Sequence, residues 1–176
     1  MATRIGIGLL GLGTVGAGVA SILNSPEDRH PLIADLELVR VAVRDLQRSR
    51  PVAIPTDRLT TDPNEVVDDP NVHVVVEVIG GIEPARTLIM RAISTGKSVV
   101  TANKAVIARH GEEIAAAAAA AGVYVLIEAA VGGGIPIIEP LKQSLGSNRI
   151  ERVSGCLLYT SPSPRDSDSS RMPSSA

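Results

Sequence analysis

This chain has little with which to lock a fold by covalent or aromatic means: one cysteine, two tyrosines, and neither phenylalanine nor tryptophan in 176 residues. The lone Cys156 excludes an internal disulfide framework and a cysteine-based zinc site, and it fits a reducing compartment. An excess of charge of either sign is also lacking, with 17 Lys+Arg against 19 Asp+Glu and a net charge of -2. No basic surface suited to nucleic acid is therefore expected. Long apolar runs are missing as well. The longest, "IAAAAAAAGVYVLI" from Ile114 to Ile127, is interrupted by Gly122 and is shorter than the roughly 20 residues of a membrane span. What is plentiful is Val, Ile, Leu and Ala, enough for one domain whose core is held by packing of small helices on a β-branched sheet.

Short β-branched runs alternate with helical patterns up to about residue 150, the signature of βαβ units and a doubly wound parallel α/β sheet. The expected strands are 5–10, 36–44, 72–79, 98–101 and 124–129. The expected helices are 15–23, 64–67, 84–95, 104–121 and 136–144. Pro84 suits a first helical turn, while Gly96 and Gly122 suit helix stops. The seven alanines of 115–121 read as strong helix propensity with a small face lying close to the sheet.

The N-terminal stretch "RIGIGLLGLGTVGAGVASIL" contains the pattern G-x-G-x-x-G twice, as Gly6-Gly8-Gly11 and as Gly11-Gly13-Gly16. A dinucleotide loop follows a buried strand and opens a helix whose N–H groups face the pyrophosphate. The first register leaves only "MATRI" as strand and forces Gly11, Gly13 and Gly16 into the helix, at up to about 1 kcal/mol each relative to alanine. The second register gives the strand "RIGIGLL" and the helix "TVGAGVASILN", and is preferred. Gly11 then makes the tight turn, Gly13 lets the pyrophosphate approach, and Gly16 lets the helix pack on the strand. Gly6 and Gly8 would admit a neighbouring helix. The recurrence of glycine at 6, 8, 11, 13, 16 and 18 argues against the alternative of a secretory signal, whose apolar region is usually a leucine-rich helix.

Ligands of open parallel sheets bind beyond the carboxyl ends of the strands. At the end of the second strand, Arg44 would favour the 2′-phosphate of NADP, and the adjacent Asp45 leaves NAD open. Solvated residues at a strand end are the plain alternative. Further strand ends carry Gly80 and Gly81, then Thr101, Asn103 and Lys104, then the glycine-rich "IEAAVGGGIPII" from Ile127 to Ile138. That last segment could hold a cation through main-chain carbonyls and Glu128, or could simply connect domains. His30, His73 and His110 have no ligand spacing and read as surface or loop residues, and Glu112 and Glu113 as first-turn charges on a solvated helix.

Taken together, "LLGLGTVGAGV", "VAVRD", "VVVEVIGGIEPA", "GKSVVTANKAVIARHG" and "IEAAVGGGIPIIEPLKQSL" resemble homoserine dehydrogenase, in order and in register from residue 4 to about 155. The TANK and EAAVGGGIP segments are far more specific than the glycine motif. The resemblance implies NAD(P)-dependent interconversion of L-aspartate 4-semialdehyde and L-homoserine, a cytoplasmic step toward threonine and methionine. It assigns Gly11, Gly13, Thr14, Val15 and Gly16 to the pyrophosphate, Arg44 to the 2′-phosphate of NADP, and Thr101 and Lys104 to the nicotinamide side, with Gly80 at the neighbouring strand end. Lys104 could also assist proton transfer. Glu128, Val131, Gly133 and Ile135 match the family's sodium site, so the resemblance implies a cation site there rather than a mere connection.

The match breaks after "RVSG". In the family this continues into N-G-T-T-N and a catalytic domain with the proton-donating lysine; here it runs into "CLLYTSPSPRD". The expectation is a cofactor domain over residues 1–150, the start of a truncated catalytic domain at 151–156, and a disordered tail over 157–176. The tail holds seven Ser and three Pro in its last 16 positions and resembles translated sequencing-adapter read-through. Such a chain is expected to bind cofactor and be inactive alone, while the full-length parent takes a small-molecule substrate and forms a homo-oligomer. Two other readings remain: another NAD(P)-dependent aldehyde or amino-acid oxidoreductase with the same first domain, or a non-enzymatic nucleotide-sensing module.

Overall fold

The computed structural model describes residues 4–27 and 29–154. By compactness the chain divides into Met1–Leu126 and Ile127–Ala176. The first unit is a six-stranded sheet of β1 (Ile5–Leu10), β2 (Leu36–Ala42), β3 (Leu59–Thr60), β4 (Val74–Glu77), β5 (Ser98–Thr101) and β6 (Val125–Leu126). Its helices are α1 (Thr14–Asn24), α2 (Asn64–Val67), α3 (Ala85–Ser94) and α4 (Lys104–Ala121). Every strand pairing is parallel, and the spatial order is β3-β2-β1-β4-β5-β6. This is the doubly wound Rossmann arrangement, in which the chain leaves β1 in one direction and β4 in the other. The loops after β1 and β4 therefore diverge, and a crevice opens between them.

Side-chain alternation along the strands sorts the core into two layers. Ile7 and Leu9 of β1, Leu38 and Val41 of β2, and Val76 of β4 pack with Ala20 of α1 on one face. Leu10, Val75 and Val99 point to the other, against Leu88, Ile89 and Ile93 of α3 and Val106, Ile114 and Ala118 of α4. Burying each of these branched side chains contributes roughly 1.5–3 kcal/mol, so the sheet needs no aromatic to hold it. Gly8 faces the second layer, where an added Cβ would lie 2.6 Å from Val66 of α2, as expected of a residue that admits a helix. At Gly6 the neighbour is a loop instead, with the Asn71 carbonyl oxygen 1.8 Å from the position of an added Cβ.

α4 runs through the alanine stretch and stops at Gly122, whose φ is +67° and whose N–H bonds the carbonyls of Ala118 and Ala119. Glu112 and Glu113 are not in its first turn, which begins at Lys104. Glu113 takes a two-pronged bond from Arg86 of α3, with Nε to Oε2 at 2.9 Å, and so joins the two helices. That guanidinium holds the Glu113 carboxyl below the usual carboxylate range.

The short β3 was not foreseen. It forms because Val43 N–H continues beyond β2 to bond the Thr60 carbonyl at 2.9 Å. The expected strand 124–129 is reduced to Val125–Leu126, followed in the second unit by a 3₁₀ turn at Glu128–Ala130. The expected helix 136–144 is a single π-type turn at Pro140–Ser144. Pro140 has no N–H to donate, and Leu145 N–H reaches back five residues to the Pro140 carbonyl at 3.1 Å. The expected tail over 157–176 lies outside the described residues.

Candidate functional site

Gly11, Gly13 and Gly16 stand in three different situations. Gly11 has φ +102°, and its N–H bonds the Ala42 carbonyl of β2 at 3.0 Å. A Cβ there would also lie 3.1 Å from the Val78 carbonyl oxygen. At Gly16 a Cβ would lie 2.1 Å from the Gly11 carbonyl oxygen, so the turn and the helix touch through bare backbone. Both glycines are demanded by the fold. Gly13 is not: an added Cβ would meet no atom within 4 Å. It is the N-cap of α1, with no side-chain cap bond and no acidic residue in the first turn. The N–H groups of Thr14, Val15 and Gly16 thus begin a helix whose positive end has no acceptor supplied by its own cap. Thr14 and Val15 are exposed there, and Gly16 is buried.

A groove of about 290 Å³ runs from this turn, lined by Gly11, Leu12 and Gly13, by Val78 and Ile79 after β4, and by Arg44, Asp45, Arg48 and Arg50 after β2. Arg44 is exposed on its rim. Asp45 Oδ1 accepts the Gln47 N–H at 2.9 Å, so part of its carboxylate is spent on a local turn. The Arg50 guanidinium donates to the main-chain carbonyls of Arg48 at 2.8 Å, of Leu46 at 3.4 Å, and of Asp45. It fastens the loop that carries Arg44 and Arg48. Three arginines against one carboxylate make this end of the groove cationic, the setting a phosphate monoester requires.

Beyond β4 and β5 the polar groups converge on Glu77, which is fully buried. Its Oε1 accepts the N–H groups of Ile79 at 2.9 Å and Gly80 at 3.4 Å, and its Oε2 accepts the Thr101 hydroxyl at 2.6 Å. Asn103 Nδ2 donates to Glu77 Oε1 at 3.4 Å and to the Gly81 carbonyl at 2.6 Å, and Asn103 Oδ1 caps α4 by accepting Val106 N–H at 3.2 Å. Thr101 is buried with its hydroxyl committed to Glu77. Gly80 has φ +81° at the turn away from β4. Lys104, the first residue of α4, is exposed.

The second unit carries Glu128, Val131, Gly133 and Ile135. Glu128 Oε1 accepts Ile138 N–H at 3.0 Å and also Ile137 N–H, and Oε2 accepts Glu139 N–H at 2.7 Å. These main-chain bonds, that of Ile137 foremost, hold its carboxyl below the usual range. The side chain is occupied by its own backbone, so only main-chain oxygens of these four residues fit a cation. Among the described residues no cluster of three or more His, Cys, Asp or Glu side chains could hold a metal, and no helix is long and apolar enough to cross a membrane.

Sequence reasoning placed Gly11, Gly13, Gly16 and Arg44 at the cofactor; Gly11, Gly13 and Arg44 line one groove, whereas Gly16 is buried behind the turn against the Gly11 carbonyl. It passed over Glu77, Arg48 and Arg50. Of these, Glu77 did leave a signal: a carboxylate inside "VVVEVI" must be buried with the strand and therefore needs donors. His73, read as a surface or loop residue, accepts Gly6 N–H on Nδ1 at 2.9 Å and serves the backbone.

The strand order, the glycine turn and the uncapped helix facing a cationic groove define a dinucleotide-binding α/β domain. The family described as "Homoserine dehydrogenase, NAD binding domain" matches residues 11–128, and the chain belongs to it. It is 59% identical over 151 residues to homoserine dehydrogenase of Synechocystis sp., covering 86% of this chain and 35% of that protein. With the enzyme of Bacillus subtilis the identity is 43% over 153 residues, covering 86% and 35%. The crystal structure of a homoserine dehydrogenase from Thiobacillus denitrificans superposes with a TM-score of 0.73 at 51% identity, covering 84% of this chain and 34% of that one. The chain thus spans about a third of the length of these relatives.

Proposed function

We propose that the chain is the cofactor-binding part of a homoserine dehydrogenase, the cytoplasmic NAD(P)-dependent oxidoreductase that interconverts L-aspartate 4-semialdehyde and L-homoserine on the way to threonine and methionine. The observation that carries the reading is one groove joining the uncapped N-terminus of α1, the open face of Gly13 and the arginines after β2. In this reading residues 1–150 serve the cofactor, and a catalytic domain begins at 151–156. When bound, the nicotinamide supplies a hydride from C4 to the aldehyde carbon. Gly11, Gly13, Thr14, Val15 and Gly16 hold the pyrophosphate through main-chain N–H groups, and Arg44 pairs with the 2′-phosphate. Gly80 and Thr101 shape the nicotinamide side, where the Lys104 ammonium assists protonation of the developing alkoxide. The principal proton donor belongs to the catalytic domain, and the residues described above bind the cofactor. The whole protein is proposed to be a homo-oligomer. A sodium ion, a hard cation suited to oxygen donors, would take main-chain carbonyls of Glu128, Val131, Gly133 and Ile135.

NADP is favoured over NAD because Asp45 is partly engaged by Gln47 N–H while Arg44 remains exposed on the groove. Fluorescence titration tests this. NADPH is expected to bind more tightly than NADH, and Arg44→Ala to weaken NADPH about tenfold or more while leaving NADH nearly unchanged. Equal affinities that Arg44→Ala leaves untouched would refute the 2′-phosphate assignment.

A further inference from the structure

The least explained group in the first unit is the buried carboxylate of Glu77. A charge taken wholly out of water is retained only where several donors replace the water. Here the donors come from separate segments: the main chain after β4 at Ile79 and Gly80, the Thr101 hydroxyl at the end of β5, and the Asn103 amide at the start of α4. The fold does not need them to share a partner. β4 and β5 are already in register, with Glu77 beside Thr101, and Asn103 already caps α4 through its own Oδ1. What the shared carboxylate adds is a fixed relation between two groups of loop residues. One is the Val78–Ile79 wall of the groove, leading into the positive-φ turn at Gly80 and Gly81. The other is the first turn of α4, which begins with Lys104. Asn103 reinforces the link by donating to the Gly81 carbonyl, and Asn103 N–H donates to the Thr101 hydroxyl oxygen at 3.0 Å.

We infer that Glu77 is a positioning residue for the nicotinamide half of the cofactor, a buried clasp that makes the Ile79–Gly81 turn and the Thr101–Lys104 turn one rigid wall. The inference rests on the cofactor reading above. The hydrogen bonds of Glu77 go to residues 79, 80, 101 and 103 and not to the phosphate turn at residues 11–16 or the arginine loop at residues 44–50. Val78 and Ile79 also line the arginine end of the groove, so the larger effect, not the whole of it, is expected on the nicotinamide half, which the Gly80–Gly81 and Thr101–Lys104 turns face in the cofactor reading. Two probes separate the halves: NADPH, and adenosine 2′,5′-bisphosphate, which has the adenine half and the 2′-phosphate but no nicotinamide.

The experiment titrates both probes against the full chain, with Glu77→Gln, Thr101→Val and Thr101→Ser. Glu77→Gln keeps the shape and removes the charge. Thr101→Val removes one donor while leaving the main-chain bonds in place, and it covers the case in which Glu77→Gln does not fold. The expected result is NADPH binding weakened about tenfold in Glu77→Gln and Thr101→Val, with adenosine 2′,5′-bisphosphate within about twofold of the parent. Thr101→Ser, which retains the hydroxyl, restores NADPH binding. Parallel weakening of both probes, or unchanged NADPH binding in both variants, would overturn the inference. A parent chain that binds neither probe would overturn the cofactor reading itself, a different and recognisable outcome.

Discussion

Gly13 and Gly16 are both glycine and lie three residues apart, yet the structure gives them different sensitivities. An alanine Cβ at position 16 would sit 2.1 Å from the Gly11 carbonyl oxygen, 3.0 Å from its carbon and 3.3 Å from Val78 Cγ2. Contacts under 3.0 Å to backbone cannot be relieved by turning a side chain, so α1 and the turn must separate by about 1 Å. Overpacking of that kind typically costs about 1–3 kcal/mol. Against a total stability of about 5–15 kcal/mol, Gly16→Ala still folds but unfolds earlier, with the thermal midpoint lowered by about 2–4 °C for each kcal/mol lost. At Gly13 an added Cβ meets nothing within 4 Å, and the backbone is extended at φ -80°, ψ -158°. Two small effects oppose each other there. Alanine stiffens the unfolded chain by about 0.4–1 kcal/mol, and it is a poorer N-cap than glycine by a similar amount. Gly13→Ala is therefore expected to leave the urea midpoint nearly unchanged and still to weaken NADPH binding, because the methyl group occupies the path to the first-turn N–H groups. Gly16→Ala is expected to lower both. Urea unfolding of the free chain and fluorescence titration with NADPH read the two quantities separately. Loss of as much stability in Gly13→Ala as in Gly16→Ala, or parent-like NADPH binding by Gly13→Ala, would refute these assignments.

The glycines were legible because each role constrains one residue at one place: a positive φ at Gly11, a backbone contact at Gly16, an open approach at Gly13. The sheet was legible because β-branched runs ended at recognisable stops, and most of the core follows from them. What escaped was set by partners far away in sequence. β3 has two residues and exists because Val43 and Thr60 find each other. Glu77 lies in a valine-rich run, and its four donors come from positions 79, 80, 101 and 103, which periodicity does not connect. Arg50 reads as one more loop charge until its guanidinium is seen closing on three carbonyls. Pro140 was passed over for a different reason. The pattern over 136–144 matches a helix, whereas Pro140, which has no N–H to donate, leaves the segment in a wider turn at Pro140–Ser144.

Two further perturbations test polar contacts between elements of the first unit. Lys97 is buried, with Nζ donating to the carbonyls of Asp69 and Val72, both at 2.9 Å. Lys97→Met keeps the apolar stem and strands those acceptors, for an expected loss of roughly 1–3 kcal/mol in urea unfolding. A gain would mean that burying the ammonium had outweighed its bonds. The second concerns acid. Arg86 hydrogen-bonds Glu113, and Thr87 hydrogen-bonds Glu83, so both carboxyls titrate lower in the folded chain than in the unfolded one. A depressed folded value means that the stabilisation is fully present above the unfolded glutamate pKa of about 4.3. It disappears as pH falls through the lower folded value. Stability should therefore hold from neutrality to about pH 5 and decline below it. Glu113→Gln should flatten that decline without shifting its start, because Glu83 keeps its own bond to Thr87. The urea midpoint followed against pH measures the limb, and identical acid limbs in the parent and Glu113→Gln would show that the bond between α3 and α4 is fully screened by water.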